Sequence, residues 1–183
     1  MRKTALLALP VLAVTGLALA ACTSQPDYRA EKADPPTVES VDLARYAGLW
    51  HEIARYPNGF QEGCTDTTAE YTLREDGKVT VVNSCAIAGK SERKVAEGVA
   101  RVVEGSNNSK LEVKFAPSWV PFAWGDYWIL HLEDDYSAAL VGSPDGKYLW
   151  ILARAETLPD PKLAEILEKA ETLGYATEPL VYR

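Results

Sequence analysis

The sequence predicts an all-β domain, an eight-stranded antiparallel up-and-down β-barrel with one C-terminal α-helix packed outside it. Three observations carry this. Short segments rich in Val, Ile, Tyr and Trp alternate apolar with polar residues and are separated by turn residues at hairpin spacing. Near the C-terminus the apolar period changes once, from two to about 3.6. The helix so formed has a single apolar stripe, which suits packing against one outer surface. A closed barrel also removes the exposed edges such strands would present. A β-sandwich is the alternative architecture.

The strands follow in order. The first covers about 49–56 and stops at Pro57-Asn58-Gly59. The second and third, 67–74 and 78–83, flank Asp76-Gly77, a hairpin signal because both residues tolerate positive φ. The fourth and fifth, 94–103 and 111–115, flank Gly105-Ser106-Asn107-Asn108. The sixth and seventh, 127–132 and 138–142, join through Glu133-Asp134-Asp135, and the eighth, 148–154, follows Pro144-Asp145-Gly146. Leu163, Ile166, Leu167, Ala170 and Leu173 then share one helical face, with Asp160 as N-cap, Pro161 in the first turn and Gly174 beyond the end.

The N-terminus precedes this domain with processing signals. A basic start at Arg2-Lys3, an apolar run from Ala5 to Ala20 and small residues before Cys22 fit a secretory signal peptide over 1–21. A membrane-spanning helix is the rival reading, but the run contains Pro10, Thr15 and Gly16 and is short for a span. Leu19-Ala20-Ala21-Cys22 resembles a bacterial lipobox, which implies acyl chains on Cys22 as the mature N-terminus. One acyl chain binds membranes marginally and two or three hold firmly. Thr23 stands where lipoproteins kept at the inner membrane often have Asp, so the resemblance implies an outer-membrane anchor in a Gram-negative cell, with the domain facing the periplasm. Residues 22–40 are polar, hold Pro26, Pro35 and Pro36, and read as a lipidated cysteine and flexible tether with a reach of roughly 20 to 25 Å. The domain proper then runs 41–183.

Removing the leader's Arg2 and Lys3 takes the formal charge from −7 to −9, which argues against nucleic acid or an anionic membrane surface as the main electrostatic partner. Cys64 and Cys85 remain in an exported domain, where a disulfide forms and persists; the alternative is a reactive thiol. No G-x-S-x-G, H-E-x-x-H, G-K-[ST] or C-x-x-C motif occurs, and no metal-ligand spacing, so neither enzyme, metal nor cofactor is implied.

Gly48-Leu49-Trp50 at the opening of the first strand resembles the G-x-W signature of lipocalins. Glu133-Asp134-Asp135-Tyr136 stands at the family's turn between the sixth and seventh strands, with Leu132 where Thr is usual, and the eighth strand ends in the family's arginine, Arg154. The combination with a lipobox resembles bacterial outer-membrane lipocalins. It implies a structural group in which Trp50, beside Gly48, closes the narrow end and Arg154 packs across the indole. It implies in turn a carrier or store for an apolar ligand such as a fatty acid or lysophospholipid; the alternatives are a structural or interaction lipoprotein, supported by Trp128 and Leu132 if they are exposed, and a lipid-acting enzyme.

Strand alternation from Trp50 places Glu52, Ala54 and Tyr56 inside the barrel. Alignment of the sixth strand with the family places Tyr127, Ile129 and His131 inside, and Trp128, Leu130 and Leu132 outside, under the helix or against a second copy in a homodimer. A slip of one residue would exchange the sets. Glu52 and His131 read either as satisfied core polar groups or as contacts to a ligand headgroup. The segment 115–124, a loop with two prolines and the aromatics Phe115, Trp119, Phe122 and Trp124, reads either as a plug or as an apolar lip at the mouth where Trp119 and Phe122 would meet a ligand.

Overall fold

A computed structural model describes residues 25–183 except residue 118; the cleavage site and Cys22 lie outside the described residues. Eight strands wind in sequence: β1 (Gly48–Arg55), β2 (Cys64–Leu73), β3 (Val79–Ile87), β4 (Lys94–Val102), β5 (Lys110–Lys114), β6 (Gly125–Leu132), β7 (Ala138–Gly142) and β8 (Leu149–Ala153). Each pairs antiparallel with the next, and β8 returns to β1 while β1 also pairs with β2, so the sheet closes. The closure is divided along β1: Gly48 to His51 face β2 and His51 to Arg55 face β8. Where β2 has parted from β1, the two-residue β9 (Val181–Tyr182) pairs with Ala54 and Arg55.

The helix α2 (Asp160–Thr172) follows, as expected. Pro159, with no side-chain bond, occupies the cap position expected for Asp160, which instead opens the first turn, where its carboxylate suits the helix dipole. Gly174, at φ +85°, ends the helix: its N–H donates to the Glu171 carbonyl at 2.9 Å and the Tyr175 N–H to that of Ala170 at 3.0 Å. Ile166, Ala170 and Leu173 pack on Leu130, Leu140, Leu149 and Ile151, the outward residues of the barrel wall. Trp128 belongs to the same cluster and lies under Lys110, whose Nζ is 3.7 Å from the ring centre.

The narrow end is shut by charge and aromatic packing. A short helix, α1 (Leu43–Tyr46), which periodicity could not reveal in so few residues, crosses this end. Trp50 is fully buried and donates from Nε1 to the Tyr46 carbonyl at 2.8 Å. The Arg154 guanidinium lies 3.9 Å from the indole centre and donates to the carbonyls of Leu49, Arg45, Tyr46 and Ala47 at 2.7–3.1 Å. Gly48, at φ +96°, lets the chain turn into β1 beneath this guanidinium.

The expected free tether is corrected over residues 25–40. They form a strap on the barrel: Tyr28 donates to Gly146 O, Ala30 to Gly174 O and Val38 to Ile129 O. Arg29, buried, donates through Nε to Leu173 O at 3.0 Å and through Nη1 to the carbonyls of Glu31, Ala33 and Pro144, so it satisfies the helix C-terminus and the strap together. The Tyr28 ring packs tilted against Tyr56, with centres 4.7 Å apart. Composition alone hid this because the segment contributes backbone bonds and one buried cation rather than an apolar stripe. Among the described residues no helix is long and apolar enough to cross a membrane.

Replacing Arg154 with Ala strands three carbonyls at the end of α1 and that of Leu49 in β1, and exposes one face of Trp50. Urea unfolding of Arg154→Ala is expected to show a loss of about 2–3 kcal/mol with the fold retained; a loss within error would show that the end closes without it.

Candidate functional site

The other end of the barrel is unfilled. Inward residues of β2 to β5 leave a cavity of about 310 Å³. Its walls are Ala69, Val79, Val81, Ala100, Leu111 and Val113, and its base is a group of three tyrosines. Tyr127 stands between the other two, its hydroxyl 2.8 Å from that of Tyr46 and 2.9 Å from that of Tyr71. Burial raises all three above the usual phenol value, Tyr71 to about 12, so they stay neutral and share hydroxyl bonds without charge.

A polar cluster borders one side. Glu52 accepts from Gln61 Nε2 at 2.6 Å and from Arg55 Nη1 at 3.1 Å, and Gln61 Oε1 accepts from Trp150 Nε1 at 3.2 Å and Asn58 Nδ2 at 2.8 Å. Glu52, Arg55 and Gln61 are all buried. Burial raises the Glu52 carboxyl above the ordinary value of 4.5, although the Gln61 and Arg55 contacts pull the other way. At the mouth Tyr148 stacks on Trp150 with centres 5.6 Å apart, Phe60 follows at 5.7 Å, and Phe115 folds over β4. Gly98 makes that last contact possible, since a Cβ there would stand 2.7 Å from the Phe115 ring.

Of the residues expected to meet a ligand, Glu52 and Tyr127 border the cavity. Ile129 faces inward but is sealed in the packed floor. Ala54, Tyr56 and His131 face outward, contrary to expectation, and one cause accounts for all three. Ile53 is an extra residue in β1 opposite β8, and Leu130 is an extra residue in β6 opposite β7. Each bulge reverses the alternation beyond it. Ala54 and Tyr56 therefore join the cluster under α2, Tyr56 donating to Ala176 O at 2.7 Å. His131 pairs with Glu133 Oε1 at 2.9 Å, and Glu133 in turn meets Lys162 of α2 at 3.1 Å. Conversely Arg55 comes into register opposite the inward Trp150, and Leu132 opposite the inward Ala139.

Alternation along β3 could have found Val79, Val81 and Asn83 from the sequence. Gln61, in the short helical turn Gly59–Gln61, carries no periodic signal. Trp119 and Phe122 stand in the loop beside the mouth, 80 % and 96 % exposed, so they plug nothing; Phe115, Ala116 and Ala123 supply the rim. Cys64 and Cys85 are joined by a disulfide between β2 and β3 at this end, which leaves no free thiol among the described residues.

Residues 41–183 match the family model of the lipocalin-like domain. The chain belongs to the lipocalin family. It is 39% identical over 150 residues to temperature-induced lipocalin-1 of Arabidopsis thaliana, covering 79% of this chain and 80% of that one. It is 37% identical to outer membrane lipoprotein Blc of Vibrio cholerae, over 79% of this lipocalin and 83% of that protein. Outer membrane lipoprotein Blc of Escherichia coli strain K12 is 33% identical over 177 residues, 97% of this chain and 96% of its own. Among solved structures, insecticyanin of Manduca sexta superposes with a TM-score of 0.65 at 23% identity, covering 86% of each chain, which supports the fold. Lipocalins bind small hydrophobic ligands, and this one has an apolar cavity open at one end.

The Glu52 carboxyl gives a pH test. Its folded pKa is raised, so the folded state holds the proton more tightly than the unfolded state does, and stability rises as pH falls through the folded pKa toward 4.5. Glu52→Gln, a neutral stand-in for the protonated acid, cannot titrate and lacks this pH-dependent contribution. In urea unfolding at pH 7 and at pH 4.5, the wild type is expected to gain on the variant at the lower pH; a constant or narrowing gap would contradict a raised pKa.

Proposed function

We propose that this lipocalin binds one single-chain amphiphile, a fatty acid or lysophospholipid, and carries or stores it at the outer membrane. The cavity carries the reading. At about 310 Å³ it lies at the low end of the range for small-molecule sites, which suits one acyl chain better than two. The chain would run along Val79, Val81, Ala100 and Leu111 toward the neutral tyrosine base, and the polar end would lie at the rim near Glu52, Gln61 and Trp150.

The membrane assignment rests on the lipobox-like Leu19-Ala20-Ala21-Cys22 and on the two Blc relatives, whose names describe outer membrane lipoproteins. On this reading residues 1–21 are removed, Cys22 is acylated and the domain faces the periplasm. The chain acts as a carrier without catalysis: Cys64 and Cys85 are bridged, and His131 is spent on Glu133, which in turn meets Lys162, outside the cavity. The alternative of a purely structural or interacting lipoprotein loses its support, because Trp128 is buried beneath Lys110 and Leu132 turns inward.

Delipidated protein from Ser24 to Arg183, titrated with lysophospholipids and fatty acids while tryptophan emission is followed, is expected to saturate at one equivalent. Ala100→Phe fills the apolar wall and should weaken binding at least about tenfold, the effect of 1.4 kcal/mol. Absence of saturable binding to either ligand class, or full affinity in Ala100→Phe, would count against the reading.

A further inference from the structure

The strap fixes where the chain emerges. Gln25, the first described residue, donates through Nε2 to Lys147 O at 3.3 Å and to Pro57 O, and Tyr28 N–H bonds Gly146 O at 3.0 Å. Lys147 and Gly146 belong to the turn between β7 and β8, and Pro57 to the loop after β1; both lie at the open end, opposite Arg154. Cys22 lies three residue steps before Gln25, at most about 11 Å of extended chain. An acyl group on Cys22 therefore holds the mouth of the barrel at the membrane, and the domain cannot stand clear on a long tether.

A second observation concerns the same end. Every phenylalanine or tryptophan among the exposed large apolar residues surrounds the mouth: Phe60, Phe115, Trp119 and Phe122. Trp119 and Phe122 project from a loop held at its base by the Arg101 guanidinium, 4.1 Å from the Trp124 ring centre. The closed end carries no exposed phenylalanine or tryptophan among the described residues, only Leu49 and Leu73, and its turn holds ion pairs, Arg74 and Lys78 with Asp76.

We infer that the open rim is a membrane-docking surface, in which Trp119 and Phe122 enter the headgroup and upper acyl region of the bilayer that holds Cys22, so that the cavity opens onto lipid. The inference rests on the proposed acylation of Cys22. Aromatic side chains favour that interfacial depth, and a rim seated there lets an acyl chain pass between bilayer and cavity without crossing water. The net acidity of the chain is no obstacle, because the covalent anchor and apolar insertion supply the attraction.

The test uses the full acylated chain in phosphatidylethanolamine–phosphatidylglycerol vesicles, with a nitroxide spin label on Phe122→Cys or, at the closed end, Glu75→Cys. With Cys22 acylated and Cys64 bridged to Cys85, each variant has one free thiol, and Phe122 and Glu75 are exposed, so the fold is not at risk. Collision with oxygen relative to a water-soluble nickel chelate is expected to be several-fold greater at 122 than at 75. Equal, water-like ratios on vesicle-bound protein would overturn the docking and leave the anchor intact. Failure of the protein to partition onto vesicles would overturn both. Exclusion of both quenchers at 122 with dipolar broadening between labels would mean that a second copy covers the rim, and would also overturn the inference.

Discussion

An eight-stranded barrel has two ends, and what closes one determines what the other is for. Here the Arg154 guanidinium satisfies carbonyls of α1 and β1 while lying on the buried Trp50 indole. A cation with five donors in a planar fork suits this position, because the chain turning into β1 leaves several carbonyls converging on one point. With that end sealed by polar bonding, the apolar interior above it need not be filled to hold the barrel together. The tyrosine base spans the transition, its hydroxyls bonded to one another and its rings facing the apolar walls.

The sequence made the barrel legible because β-structure declares itself by alternation, and the eight strands, their order, the outer helix and its glycine stop all follow from local patterns. The interior was legible only as far as alternation holds. Trp50, Glu52 and Tyr127 lie before the bulges at Ile53 and Leu130 and face as expected; Ala54, Tyr56 and His131 lie beyond them and do not. Nothing in the composition of these strands marks a bulge, because the extra residues Ile53 and Leu130 are ordinary strand formers that pack under α2. A bulge is a property of the pairing, and pairing partners lie far apart in sequence. Gln61 was hidden for a related reason: its role comes from a loop folding back on Glu52 and Trp150.

The strap shows a different limit. A polar, proline-containing segment reads as a linker when only its apolar content is weighed, yet residues 25–40 are ordered by backbone bonds to three separate parts of the barrel and by Arg29. The consequence reaches function, since the same segment brings the chain to the open end. The disulfide joins β2 and β3 at that end, and the β2 and β1 bulges lie on its side of the barrel, so the mouth is shaped by irregular pairing and a covalent tie.

The central claim is that an acyl chain occupies the space between β2 and β5 above the tyrosine base. Nuclear magnetic resonance of the methyl-labelled domain with a saturating lysophospholipid tests this most directly. Intermolecular contacts from the acyl protons to the methyls of Val79, Val81, Ala100 and Leu111, with none to Ala54 or Ile166, are the result expected. Contacts confined to the outer residues under α2 or to the exposed loop, with the inner methyls silent, would contradict it.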